Sequence, residues 1–271
     1  MLKKIISGGQ TGADRAAIDL AIKLSIPYGG WIPKGRKTES GSLSLKYQLT
    51  EMETVDYPSR TKMNIVDSHG TVIVSRGRLT GGSELTKVFA KVVGKPVCHI
   101  DLTKNDSFEA AIILQSFIME NQIEVLNVAG PRASRDPEIY FDVRSILEAV
   151  FYMMFLDSTH EEKIKALIPI SIKEEFPKTK EAAVGLIAAE LSLKTKTFIA
   201  RLADEKIQYL YFGWLDYLKF RLGLDSGNTE LFTQMSQGMD PIPFTIEDAV
   251  MEIIKSLKRY VESHYGLKVI K

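Results

Sequence analysis

Cysteine is nearly absent from this 271-residue chain. Cys98 stands alone, so neither an internal disulfide nor a cysteine-based zinc site can form. Its apolar setting, KPVCHI, reads as that of a buried structural thiol. Long hydrophobic runs are missing as well. The longest candidate, AVFYMMFL over 149–156, is far short of the roughly 18 apolar residues of a membrane span. A strand-like run and a glycine loop begin almost at once, with no apolar signal core before them, so a cytoplasmic protein without membrane association is expected. Charge of one sign is also not in excess: 35 Lys and Arg face 34 Asp and Glu, a net charge of +1. Nucleic-acid backbones call for a concentrated basic face. The densest basic cluster is only Lys34, Arg36 and Lys37, so no nucleic-acid partner is expected. His69, His99, His160 and His264 lack metal-ligand spacing, and no metal site is expected. No Ser-His-Asp or Cys-His arrangement can be read from the order of residues, and catalytic residues stay unassigned.

What is present is alternation. KKIIS (3–7), GTVIVS (70–75), KPVCHI (95–100) and EVLNVAG (124–130) read as strands. Helical patterns follow them at 15–24, 84–93, 106–121 and 140–156. Continuous apolar strands alternating with helices indicate a parallel sheet covered on both faces. The expected fold is therefore α/β, with a Rossmann-like parallel sheet. After Leu156 helical patterns take over, at 179–191, 192–202, 205–222 and 245–265, apart from a short strand-like ALIPISI (166–172). The expected organisation is a Rossmann-like ligand-binding domain over 1–156 and an all-α domain over 157–271. Thr245 and Asp248 form a capping-box variant, and Gly266 suits the end of the last helix. The aromatic stripe Tyr209, Tyr211, Phe212, Trp214, Tyr217 and Phe220 reads as a core-facing helix.

Chemistry is expected in the loops. TGAD (11–14) follows the first strand and TGGS (80–83) follows the strand ending at Ser75, and both lead into a helix. In a parallel sheet both loops share one edge. There glycine lets backbone amides approach a ligand, and helix N-termini offer partial positive charge. Two matched loops predict an anion or nucleotide pocket, although neither is a P-loop and neither spells Gly-x-Gly-x-x-Gly. AGPRASRDP (129–137) adds Arg132 and Arg135, suited to bidentate contacts with an oxyanion, and PKGRKTESG (33–41) adds Lys34. Asp14 and Glu84 sit at helix starts, as caps or as acceptors for ribose hydroxyls or a pterin-type amine. Asp67, beside the second strand, suits either use.

Six motifs in register carry a family resemblance over residues 4–146: GGQTGADRAAID, GGWIPKGRKTESG, YQLTEMETVDYPSRTKMNIVDSHGT, LTGGSELT, GKPV and NVAGPRASRDPEIY. The chain resembles the molybdenum cofactor carrier family, part of a wider Rossmann-like group related to lysine-decarboxylase-like proteins. That resemblance implies a pocket at the loop edge for molybdenum cofactor or a nucleotide. It points to Gly8, Gly9, Thr11, Gly12, Arg15, Lys34, Arg36, Thr80, Gly81, Gly82 and Arg132 as ligand-binding positions; the loops themselves add Gln10 and Ser83, with Asp14, Asp67 and Glu84 as possible polar contacts. Ile32 stands where the family often has cysteine, so no thiol acts there. The wider group also includes enzymes that release a base from nucleoside monophosphates. Glu84 and Val88 replace the last glycine and the glutamate of their Gly-Gly-x-Gly-Thr-x-x-Glu loop. FGWLDYLKFRLGLDSGNTEL (212–231) is similar to a small uncharacterised helical domain.

The expected function is binding of a phosphate-bearing small molecule by a carrier or sensor. The alternative is a phosphoribohydrolase-like enzyme acting on a nucleotide or an ADP-ribose-like ligand. Homo-oligomers, and a protein partner bound through the helical domain, stay open.

Overall fold

In a computed structural model that describes residues 2–156, 161–168, 176–237 and 244–265, five strands form a wholly parallel sheet. They are β1 (Lys4–Ile6), β2 (Tyr28–Gly29), β7 (Gly70–Ser75), β8 (Val97–Asp101) and β9 (Val125–Ala129), in the order β2-β1-β9-β7-β8. Between β2 and β7 the chain makes four short strands: β3 (Trp31–Ile32), β4 (Lys37–Thr38), β5 (Gly41–Ser42) and β6 (Thr50–Glu51). β3 pairs with β6 and β4 with β5. The helices of this unit are α1 (Ala13–Lys23), α2 (Tyr57–Val66), α3 (Gly81–Val92), α4 (Ser107–Glu120) and α5 (Ile139–Leu156). The four strand-like runs of the sequence thus become β1, β7, β8 and β9. The short strands β2–β6 and helix α2 were not anticipated.

Burial explains the arrangement. Every residue of β7 is buried, as a strand covered on both faces must be. Ile5, Ile6, Val72, Ile73, Leu126 and Val128 are almost wholly removed from solvent, each worth about 1.5–3 kcal/mol by transfer. Polar side chains inside the sheet are paired, which removes their desolvation cost. Asn127 Nδ2 donates to Thr71 Oγ1 at 3.1 Å, and these two residues are register partners of β9 and β7. Ser7 Oγ donates to the Val128 carbonyl at 2.7 Å. A smaller cluster of Ile18, Ile32, Leu43, Tyr47 and Leu49 holds the 28–51 segment against α1.

The chain divides into two units, one of Met1–Ile22 and Ile26–Met153, the other of Lys23–Ser25 and Met154–Lys271. Among its described residues the second unit is helical: α6 (Glu161–Lys165), α7 (Lys180–Glu190), α8 (Leu193–Ala200), α9 (Ile207–Arg221), α10 (Thr229–Ser236) and α11 (Ile246–Tyr265). Tyr211, Phe212 and Trp214 of α9 are buried, whereas Phe220 points to solvent. Trp214 Nε1 donates to the Ile164 carbonyl at 3.1 Å. Arg221 and Glu190 form a buried pair at 2.6 Å, and Tyr217 Oη donates to the same carboxylate at 3.2 Å. Thr245 and Asp248 cap α11 reciprocally, the Thr245 amide donating to Asp248 Oδ2 and the Asp248 amide to Thr245 Oγ1. His160, Gly266 and the 169–172 part of the strand-like run lie outside the described residues. No described helix is long and apolar enough to cross a membrane.

Gly12 is a tight joint between the loops after β1 and β9. It has φ of +74°, and a Cβ there would lie 2.5 Å from the Pro131 carbonyl oxygen. Gly12→Ala is expected to lower stability by about 1–3 kcal/mol, read as a reduced melting temperature of the full chain; an unchanged melting temperature would show that the 130–133 loop yields freely.

Candidate functional site

The loops leaving β1, β7 and β9 open on one edge of the sheet, next to the point where strand order reverses around β9. Such an edge is where open α/β sheets receive ligands. A cavity of about 560 Å³ lies there, walled by residues from all three loops and from α2 and α3. Five arginines line it, Arg60, Arg76, Arg78, Arg132 and Arg135, against two carboxylates, Asp14 and Asp136. Thr80, Gly82 and Ser83 contribute the start of α3.

Arg60 reaches the cavity from α2. Asp56 caps this helix, accepting the Ser59 amide at 2.8 Å, and Pro58 sits in its first turn, where a missing N–H costs nothing. The Arg60 guanidinium then donates to Asp14 Oδ2 at 2.9 Å and to the Gly8 carbonyl at 3.0 Å. A Cβ on Gly8 would fall 1.9 Å from the guanidinium carbon, so glycine there makes room for the arginine rather than for a ligand. Asp14 is only 6% exposed. Burial raises its carboxyl above the ordinary value, while the charge of Arg60 and the Gln10 amide act to lower it.

The first glycine loop is therefore largely closed on itself. The Gln10 amide bonds Asp14, and the Thr11 amide bonds the Gln10 side chain at 3.2 Å. Arg15 stacks over Tyr47, 4.6 Å from the ring centre, and donates to the Gly9 carbonyl at 3.4 Å. Of the positions expected there, Gln10 and Asp14 line the cavity, while Gly8, Gly9, Thr11, Gly12 and Arg15 do not. Thr11 instead meets Glu39, whose carboxylate also accepts from the Ser134 amide at 3.1 Å and from the Ser134 hydroxyl. Partial burial works to raise the Glu39 carboxyl, but the Ser134 and Thr11 bonds outweigh it and hold it low.

The second loop is open. Thr80 is the N-cap residue of α3, yet no side chain caps this helix, and its start forms part of the cavity wall. The loop before it is fixed by Asp101, whose Oδ1 accepts the Gly77 amide at 2.7 Å. Hydrogen bonds from Thr103, then Gly77, hold that carboxyl down at about 2. Thr80, Gly82, Ser83 and Arg132 line the cavity as expected, and Gly81 neighbours Arg135. Lys34 is exposed and outside the lining. Arg36 spends its guanidinium on the carbonyls of Leu43, Ser44, Tyr47 and Leu49. Asp67 accepts Trp31 Nε1 at 2.6 Å, and Glu84 is exposed on α3; neither lines the cavity.

Charge in the cavity is unevenly spent. Arg76 is held by Asp136 at 2.6 Å and Asp142 at 2.5 Å. Arg78 and Arg135 have no carboxylate partner among the described residues. Arg132 lies over the Tyr57 ring at 5.3 Å. Arg60, Arg76, Arg78 and Tyr57 were not singled out from the sequence; the Asp56-Tyr57-Pro58-Ser59 helix start was the signal that places α2. No group of His, Cys, Asp and Glu fit for a metal ion occurs among the described residues.

Removing Arg60 leaves Asp14 buried and alone. Arg60→Met is expected to cost about 3–5 kcal/mol near neutral pH. Without its partner the carboxyl shifts further up, so ionisation in the folded state becomes the burden. The deficit against the parent protein should therefore shrink as the pH falls and Asp14 takes a proton. Melting temperatures of both proteins across an acid-to-neutral series check this; a deficit independent of pH would contradict it.

A model of the circularly permutated YpsA SLOG family matches residues 5–151. The crystal structure of a "Putative molybdenum carrier protein" from Syntrophus aciditrophicus SB is 54% identical, covering 55% of this chain and 94% of that one, with a TM-score of 0.54. No curated protein matches. The matched span contains every residue that lines the cavity, and the chain belongs to the circularly permutated YpsA SLOG family.

Proposed function

We propose that this protein binds a phosphate-bearing small molecule in the arginine-lined cavity, as a carrier or a sensor. The observation that carries this reading is the charge of the wall: five guanidiniums against two carboxylates, both carboxylates already paired. Arg78, Arg132 and Arg135 supply planar donor forks, which suit phosphate oxygens. The uncapped first turn of α3 supplies backbone amides and the positive end of a helix dipole. Gln10, Thr80 and Ser83 add neutral polar groups along the same wall, able to orient the uncharged part of the ligand.

Two ligand classes fit. The relative is described as a molybdenum carrier, and the phosphate of a molybdenum cofactor would sit on the same arginines and amides. A nucleotide offers the same phosphate chemistry with a larger polar body. The phosphoribohydrolase reading is less well supported. It needs a carboxylate aimed at the anomeric carbon, and Glu84 and Asp67, the residues considered for it, lie outside the cavity lining.

Thermal unfolding with inorganic phosphate, pyrophosphate, adenosine monophosphate, ADP-ribose, molybdate and molybdenum cofactor tests the proposal. A ligand at 100 times its Kd adds about 2.7 kcal/mol of stability, and the shift should weaken with added salt. The double variant Arg132→Ala, Arg135→Ala is expected to lose most of it. If no anion raises the melting temperature of the parent protein, the proposal fails.

A further inference from the structure

Ser75 ends β7 at the floor of the cavity and is only 7% exposed, yet it lines the cavity wall. Its Oγ lies 2.9 Å from Nε2 of His99 on the neighbouring strand β8. Its other contact, to the Gly77 carbonyl at 3.5 Å, is too long to hold the hydroxyl proton. The strand pairing sets this geometry, since β7 and β8 run parallel with Ile73 opposite His99 and Ser75 opposite Asp101. Nothing in the binding function requires a serine hydroxyl in contact with an imidazole beside the anion-holding groups.

We propose that Ser75 and His99 form a nucleophile and general-base pair that hydrolyses a phosphate monoester held in the cavity. This rests on the phosphate-binding reading and adds an activity to it. Ser75 Oγ attacks phosphorus, and a new Oγ–P bond forms as the ester P–O bond breaks. The Ser75 proton passes to His99 Nε2 and from there to the departing alcohol. Water, deprotonated by His99, then attacks the phosphoserine; the Oγ–P bond breaks, inorganic phosphate leaves and the proton returns to Ser75. The net reaction is one water and one monoester giving one alcohol and one phosphate.

The surroundings suit each role. A base must be neutral to take the proton, and burial, then the charge of Lys87 on α3, lowers His99 below its ordinary value. Asp101 on the same strand acts the other way, and Lys104 beyond it works with Lys87. The Gly77 amide and the Arg76 guanidinium are both tied to carboxylates, which fixes the turn that follows the nucleophile. Arg78, Arg132 and Arg135 remain for the charge that develops on the phosphoryl oxygens.

The test uses p-nitrophenyl phosphate with the full-length protein, following nitrophenol release and, after acid quenching, peptide mass. The expected results are turnover and a phosphoryl group on Ser75. The rate should fall as the pH drops through the lowered value of His99, because the base is then protonated. Ser75→Ala and His99→Gln should each reduce the rate by roughly 100- to 10,000-fold while keeping the thermal shift given by inorganic phosphate. The phosphoserine in the parent protein is informative even if a variant fails to fold. A parent protein stabilised by phosphate but showing neither turnover nor phosphoserine overturns this inference alone. So does a Ser75→Ala protein of unchanged rate. Absence of a shift with phosphate and with every other anion of the series overturns the binding reading and this inference together.

Discussion

The Arg60–Asp14 pair is the contact on which the site depends. It joins the loop after β1, the first turn of α1 and the otherwise polar helix α2, at 2.9 Å between charged atoms. Its geometry requires a residue without a side chain at Gly8, because the guanidinium occupies that volume. The pair also decides the sign of the cavity. An unpaired Asp14 would place a buried negative charge on the arginine-lined wall. With Arg60 against it, the carboxylate becomes a neutralised and rigid part of the scaffold. Both partners are poorly solvated, so their attraction is opposed by a desolvation cost of comparable size. The value of the pair lies in fixing three segments in one arrangement more than in net stability.

A chain of nearly balanced charge thus builds a strongly positive cavity by placement alone. The acidic groups near the rim are spent on structure: Asp136 and Asp142 on Arg76, Asp101 on the Gly77 amide, Glu39 on Thr11 and Ser134. What is left facing the cavity is arginine and the amide end of α3. Net charge describes behaviour at long range, through solvent. It carries little information about a concave site whose charges are sorted within a few ångströms.

The sheet was legible in the sequence because β7 and β9 are continuous apolar runs, and the shared loop edge follows from parallel strands. α3 and the arginine at 132 were legible for the same reason. α2 was not: its apolar positions are few, Pro58 reads as a breaker, and the helix is recognised by its cap rather than by periodicity. Arg60 was hidden with it. At Lys34 and Arg36 the local density of charge does not reveal that the Arg36 guanidinium turns inward onto four carbonyls. The glycines of the first loop were correctly placed at the edge. Yet their missing side chains make room for Arg60 at Gly8 and for the 131–133 backbone at Gly12, a distinction that only three-dimensional neighbours can make.

The loops around the cavity are anchored by bonds that do not involve a ligand: Thr11 and Ser134 to Glu39, the Ala133 amide to Thr11 at 3.2 Å, and Gly77 to Asp101. A cavity whose walls are held in this way would need little rearrangement to bind a ligand, and a ligand bound there would add to the stability of the sheet edge that holds it. Donors fixed in place before binding are also those best able to stabilise charge that moves onto them in a reaction, so the wall that would favour an anion would equally favour chemistry on it.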